Sequence, residues 1–166
     1  MSITHTLYLQ EFYGISAEAA EHVPADIQRA YARALLFIAG TGGLSAAERA
    51  YFHAWQAACG HSQELIEEMR GFDPAPAELK EVLGVFISTS GRTAAAIADP
   101  IEGLKRGLVY DAIRLASADE CYGDHKRNRV REMACLLGVS PEIVKALEGL
   151  VEIERAVRQT RLALLR

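Results

Sequence analysis

This sequence lacks several features of secreted, membrane-spanning and nucleic-acid-binding proteins. Its 166 residues include three cysteines, an odd number without a CxxC pair, which indicates reduced thiols in an intracellular protein. No segment approaches the roughly 20 consecutive apolar residues that cross a bilayer. The 18 basic and 22 acidic residues give a net charge of −4 without a long run of either sign. We therefore expect neither membrane insertion nor binding to nucleic acid.

A secretory signal and strand patterns are also missing. Residues 1–10 contain no Lys or Arg and no continuous apolar stretch, so we expect a cytoplasmic protein. No segment alternates apolar and polar residues with the β-branched enrichment that is typical of strands, whereas apolar residues recur at helical spacing throughout. Half of the residues are hydrophobic, enough for one substantial core. The sequence predicts a single compact all-α domain of about seven to nine helices.

The sequence also contains a degenerate internal repeat. When the chain is shifted by 78 residues, residues 34–69 align with residues 112–147 without a gap. Identities are few, but the apolar positions agree, which predicts two similar helical units at about 24–73 and 100–152 within one domain, 1–166. The matched apolar pairs are Leu35/Ile113, Phe37/Leu115, Leu44/Tyr122, Phe52/Val130, Trp55/Met133, Leu65/Ile143, Ile66/Val144 and Met69/Leu147.

Helix boundaries follow from local signals, which predict short helices at about 3–13 and 16–21 and a further helix at about 77–88. Ser45 and Glu48 form the pattern of a capping box, in which each side chain bonds a free backbone N–H of the other residue. Pro100 follows an aspartate and precedes a carboxylate, which predicts a helix start there. Gly138 followed by Ser140 and a proline predicts one helix end and the start of a long carboxy-terminal helix at about 141–165.

The loop between the first and second helix of each unit carries candidate cation ligands. Asp119 and Glu120 follow the end of a helix, where a negative charge opposes the helix dipole at a cost of about 0.3–1 kcal/mol each. Asp124 and, from the first unit, Glu48 complete the acidic set. A cation would resolve the conflict, and two sources stay open at this point. One is a basic side chain, with Lys126, Arg127 and Arg129 in reach; the other is a bound divalent cation such as Mg²⁺ or Ca²⁺, which prefers oxygen ligands.

At this loop the sequence resembles the TerB-like tellurite-resistance proteins, a family of all-helical domains, over about residues 27–150. The family pattern is Ala-Asp-Gly, an apolar residue, Ser or Asp, and a Glu that opens the next helix, followed by Leu-Gly and a Ser- or Asp-Pro start. Residues 118–122 and 137–142 resemble it in the second unit, and residues 44–48 resemble it in the first. The first copy has Thr41 where the family favours Asp, and the second has Lys126 where it favours Glu. A site shared between Glu48 and Asp119 is therefore a candidate, whereas neither copy holds a complete one.

The resemblance implies a class of function. It implies a tellurite-resistance or stress-response protein that binds a cation or a partner protein through the acidic inter-helix loop, and we lean towards a non-enzymatic role. One alternative is a scaffold that self-associates through the Leu- and Val-rich face of its carboxy-terminal helix; exposure of that face would favour it. A weaker alternative is a small-molecule binder or enzyme with a cavity between the repeats.

Overall fold

The described part of the chain forms eight helices, as helical periodicity and capping signals predict. The structure is a computed structural model that describes residues 10, 23–39, 44–74, 77–88, 100–119 and 121–166. Within these ranges there is no strand, and the predicted all-α class is confirmed. Of the helices predicted at about 3–13 and 16–21, the structure describes residue 10, which is helical, and the other residues lie outside the described part of the chain. The helices are α1 (Ala25–Ala39), α2 (Ala46–Ala58), α3 (Gln63–Arg70), α4 (Leu79–Val82), α5 (Gly84–Ser88), α6 (Pro100–Ala116), α7 (Asp124–Leu137) and α8 (Pro141–Leu164).

The capping signals act as the sequence predicts. The Glu48 N–H donates to Ser45 Oγ at 3.2 Å, and the Ser45 N–H donates to Glu48 Oε2 at 2.8 Å, which confirms the capping box before α2. Ser140 Oγ accepts from the N–H of Ile143, the third residue of α8, at 3.4 Å. Gly138 ends α7 at φ 75°, a left-handed conformation that glycine adopts without steric cost.

Corresponding helices of the two predicted units begin at the same spacing. Residues 46 and 124, where α2 and α7 begin, are 78 residues apart, as are residues 63 and 141, where α3 and α8 begin. Gly60 at φ 66° matches Gly138 in the second unit. One expected continuity is absent: the helix predicted over 77–88 is two short helices that meet at Leu83. Gly84, a poor helix former, follows this break, and Leu83 and Phe86 both turn into the core.

The core lies between α1 and α6, the first helices of the two units. These helices pack against each other, and the remaining helices surround them: α2, α7 and α8 contact α6, while α3, α4, α5 and α7 contact α1. Equivalent positions of the repeat supply buried residues from both sides, including Leu35 with Ile113 and Trp55 with Met133. The two units thus bury one continuous apolar cluster.

Helix α8 extends beyond this core. Its first half packs on α6 and α7, and Val144 and Val151 are buried there. All residues from 156 to 166 are exposed. A helix of 24 residues is about 36 Å long at 1.5 Å per residue, so its outer half projects past the packed body. None of the described helices has both the length and the apolar composition needed to span a membrane.

Candidate functional site

Glu48, from the first unit, is a buried carboxylate at the start of α2. Its side chain is 2% exposed, although charged side chains are rarely buried without a partner. One oxygen accepts from the Ser45 N–H in the capping box. The other oxygen, Oε1, lies 2.9 Å from Lys126 Nζ. The sequence signal for a helix start therefore also places a negative charge at the contact between the two units.

Asp119, from the second unit, lies at the same contact. Its Oδ1 accepts from the Cys121 N–H at 3.0 Å, which fixes the turn after α6. Its Oδ2 lies 2.9 Å from Lys126 Nζ. Partial burial raises the pKa of this carboxyl, but hydrogen bonds from Lys126, the Cys121 N–H and the Ser45 hydroxyl, with the Lys126 charge, outweigh burial and hold the pKa below its ordinary range. Asp119 is therefore ionised in the folded protein at neutral pH.

Lys126 lies between these two carboxylates. Its Nζ has four oxygens within 3.2 Å: Glu48 Oε1, both Asp119 carboxylate oxygens, and the carbonyl of Ala116 in the last turn of α6. Burial lowers the pKa of the ammonium, but the hydrogen bonds and charges of Asp119 and Glu48 raise it further, so its net shift is upward. The ammonium of Lys126 thus pairs with both carboxylates, and it also faces the negative end of the α6 dipole.

Asp124, another predicted ligand, does not join this pair. The Asp124 side chain is 94% exposed and lies 3.6 Å from Arg127; it is the first residue of α7, whereas the N-cap is Gly123. Glu120 lies outside the described residues. Among the residues that the structure describes, no three His, Cys, Asp or Glu side chains form a group that could hold a metal ion. Of the three candidate ligands that the structure describes, it brings together Glu48 and Asp119.

Sequence reasoning missed a second buried carboxylate, Asp111 on α6. It is 1% exposed and accepts hydrogen bonds from Tyr31 Oη at 2.8 Å and Trp55 Nε1 at 3.1 Å. Its position two turns before the acidic loop suggests a member of that cluster, but its side chain lies in the core between the two units. The sequence feature that could have predicted its burial is its place in the apolar face of α6, between Leu108 and Leu115.

A second candidate surface is the outer half of α8. Four apolar side chains, Leu150, Ile153, Val157 and Leu164, are 43%, 64%, 51% and 81% exposed. Successive spacings of three, four and seven residues place them on one side of the helix, away from the buried Val151. We call these four residues the α8 stripe. This is the exposure that favours the self-association alternative.

Comparison with known proteins agrees with this architecture over nearly the whole chain. The chain is similar to the crystal structure of a tellurite resistance protein from Nostoc punctiforme, with a TM-score of 0.72 and 25% sequence identity. The match covers 99% of this chain and 96% of the other. No protein-family model matches the sequence, and no curated protein matches it. The resemblance is thus carried by the fold together with a modest sequence identity.

Proposed function

This chain is TerB-like, with the fold of a tellurite resistance protein, and from that premise we propose that it is a non-catalytic binding protein of a tellurite or stress response. It contacts a partner protein through the α8 stripe. The observation that carries this proposal is the exposure of those four apolar residues on a helix that extends past the packed body. Single exposed apolar residues are ordinary on protein surfaces, but a contiguous group on one face is typical of an interaction site.

The spacing of the stripe favours a helical partner. With Leu150 and Val157 as the first apolar position of successive heptads, Ile153 takes the second and Leu164 begins the next. Apolar residues at spacings of three and four residues form the pattern by which one helix recognises another, and here Thr160 takes the second position between Val157 and Leu164. The charged residues of α8 stand outside this line. The stripe is therefore suited to helix pairing.

The acidic loops have a different role in this proposal. Lys126 neutralises Glu48 and Asp119 at 2.9 Å each, so these residues join the two units. A Mg²⁺ or Ca²⁺ ion at the same carboxylates is the competing hypothesis, and it requires the ammonium to leave. Calorimetric titration of chelator-treated protein separates the two. We expect no saturable heat with either ion, whereas binding that Asp119→Asn abolishes would favour the cation.

Tellurite tolerance of the native host tests the stripe directly. We expect a strain without the gene to be more sensitive, and the wild-type chain to restore tolerance. The variant Ile153→Ser/Val157→Ser should fold but fail to restore it. Leu162→Ser is the matched control, because Leu162 is 45% exposed on the same helix but lies off the stripe. Full rescue by the double variant would contradict the proposal.

A further inference from the structure

The charged residues that border the α8 stripe favour one kind of partner. Resting on the proposed function of this face, we infer that the stripe binds the same stripe of a second copy of this chain, with the two α8 helices antiparallel. The inference combines three observations: an apolar line without a cover in the described residues, one acidic and one basic residue along one edge of it, and small residues along its other edge. Each constrains the geometry of pairing in a different way.

Acidic and basic residues of α8 occupy different segments. Residues 148–154 contain three glutamates and no basic residue, and residues 155–166 contain four arginines and no acidic residue. Of these charged residues, Glu154 and Arg161 border the stripe, and both lie on the same edge of it. In a parallel pair this edge faces the opposite edge of the second helix, where Gly149, Ala156 and Ala163 lie, and no ion pair forms. In an antiparallel pair this edge faces itself, so acidic and basic residues meet, and because complementary charges set orientation the pattern favours the antiparallel pair.

The residues beside the stripe set the register. Glu154 and Arg161 are seven residues apart on one edge, and in antiparallel helix pairs equivalent edge positions face each other. Glu154 of each copy then faces Arg161 of the other, which gives two symmetric ion pairs. In this register, Val157 lies near Thr160 of the second copy, and Ile153 near Leu164 of the second copy. Glu154 is already held by Tyr110 Oη and by Arg114 Nε at 3.8 Å, and its side chain is 32% exposed.

The other edge of the stripe consists of small residues. Gly149, Ala156 and Ala163 recur every seven residues, so each heptad presents one position with little or no side chain. Such residues let two helices approach closely and bring the apolar side chains of the stripe into contact. Bulky or charged residues here would hold the backbones apart. The small edge therefore favours a direct helix pair over a loose contact.

The packed bodies do not obstruct this arrangement. The last buried residue of α8 is Val151. With Glu154 opposite Arg161 of the second copy, Val151 of the second copy falls near the end of the first α8, so the two bodies lie at opposite ends of the pair. The overlap of residues 150–166 is about 25 Å long at 1.5 Å per residue. This is a small interface, and we expect a dimer that forms reversibly with concentration.

Sedimentation equilibrium of the full chain, from micromolar to millimolar concentration, tests the pairing. We expect the wild type and Leu162→Ser to form dimers and Ile153→Ser/Val157→Ser to remain monomeric. A wild type that is monomeric at every concentration would overturn the inference. The partner of the stripe would then be another protein or residues 1–22 of the same chain. The tolerance test would still decide the proposed function, because it depends on the stripe and not on the oligomeric state.

Charge reversal tests the orientation. Arg161→Glu alone and Glu154→Arg alone should each weaken the homodimer roughly tenfold, about 1.4 kcal/mol, because each creates two like-charge contacts. An equal mixture of the two variants should recover wild-type association, since both ion pairs re-form in the mixed dimer. Arg158→Glu, off the stripe, is the matched control, and thermal unfolding checks that Glu154→Arg leaves the fold intact. A mixture that associates no better than either variant would overturn the antiparallel register.

Discussion

Two regions depart in opposite directions from the rule that charged side chains are exposed and apolar side chains are buried. One is the contact between the two acidic loops, and the other is the outer half of α8. At the loop contact, a carboxylate that is 2% exposed is paired with an ammonium of the same chain. On α8, apolar side chains that are 43–81% exposed have no cover in the described part of the chain. The first region satisfies its buried charges internally, whereas the second leaves its apolar surface in water. The difference supports the proposal that the acidic loops hold the units together and that the carboxy-terminal helix is the surface for binding.

The loop contact joins two equivalent positions of the repeat. Glu48 and Lys126 are equivalent positions, because 126 − 48 = 78, the repeat spacing. They have opposite charges and contact each other across the two units. Two glutamates at these positions would repel in a buried site. Lysine in place of the second glutamate changes a possible ligand pair into an ion pair. The departure from the TerB-like pattern is therefore the residue that pairs with Glu48 and Asp119.

The largest expected effect comes from removing this lysine. Lys126→Met leaves Glu48 buried without its cation and removes a bond to the α6 carbonyl. Breaking a buried ion pair typically costs 3–5 kcal/mol; since Lys126 is 20% exposed, we expect about 3 kcal/mol of lost unfolding free energy in urea. Lys145→Met, at an exposed position of α8, should change stability by less than about 0.5 kcal/mol. Equal stability of the two variants would show that the loop contact contributes nothing.

Two valines on α8 allow a comparison between buried and exposed positions with the same side chain. Val151 is 4% exposed and Val157 is 51% exposed. Val151→Ala removes buried methyl groups and should lower the unfolding free energy by about 2 kcal/mol. Val157→Ala should change it by less than about 0.5 kcal/mol at concentrations where the chain is monomeric. Urea unfolding of both variants checks this. A similar loss from Val157→Ala in the monomer would mean that the stripe is covered within the same chain.

Local signals predicted most of the fold. The capping box at Ser45, the left-handed Gly138 and the proline start of α8 depend on residues a few positions apart, so the sequence displays them directly. The repeat extends this information, because a boundary recognised in one unit supports its equivalent in the other. The break at Leu83 escaped prediction because it depends on which side chains reach the core.

The sites needed information that the sequence does not display. Lys126 is one of three basic side chains near the loop in sequence, and only folding shows that it reaches Glu48, Asp119 and a helix end together. By its sequence position, Asp111 could belong with the loop carboxylates. In the structure it accepts hydrogen bonds from Tyr31 and Trp55 of the other unit. Periodicity predicts an apolar face on α8, but exposure depends on whether another helix covers it.

The smallest expected effect is a pH dependence that belongs to the loop contact alone. Burial raises the pKa of Asp119, but its bonds to Lys126 and to backbone and hydroxyl donors lower it further, so the folded carboxyl binds a proton less readily than the unfolded one. Its stabilisation is therefore present above about pH 4 and is lost as pH falls through the lower, folded-state pKa.

Asp119→Asn removes this contribution, and the gap in unfolding free energy between it and the wild type should narrow as urea unfolding is repeated from pH 6 to pH 3. Partial exposure of Asp119, at 23%, limits the change to less than about 1 kcal/mol. Asp124→Asn is the matched control for the loss of one carboxylate, because Asp124 is 94% exposed, and at pH 6 it should lower the unfolding free energy by less than Asp119→Asn does. A constant gap for Asp119→Asn would mean that Lys126 depends on Glu48 and the α6 carbonyl alone, and the contact between the units would then lack an electrostatic contribution from the second acidic loop.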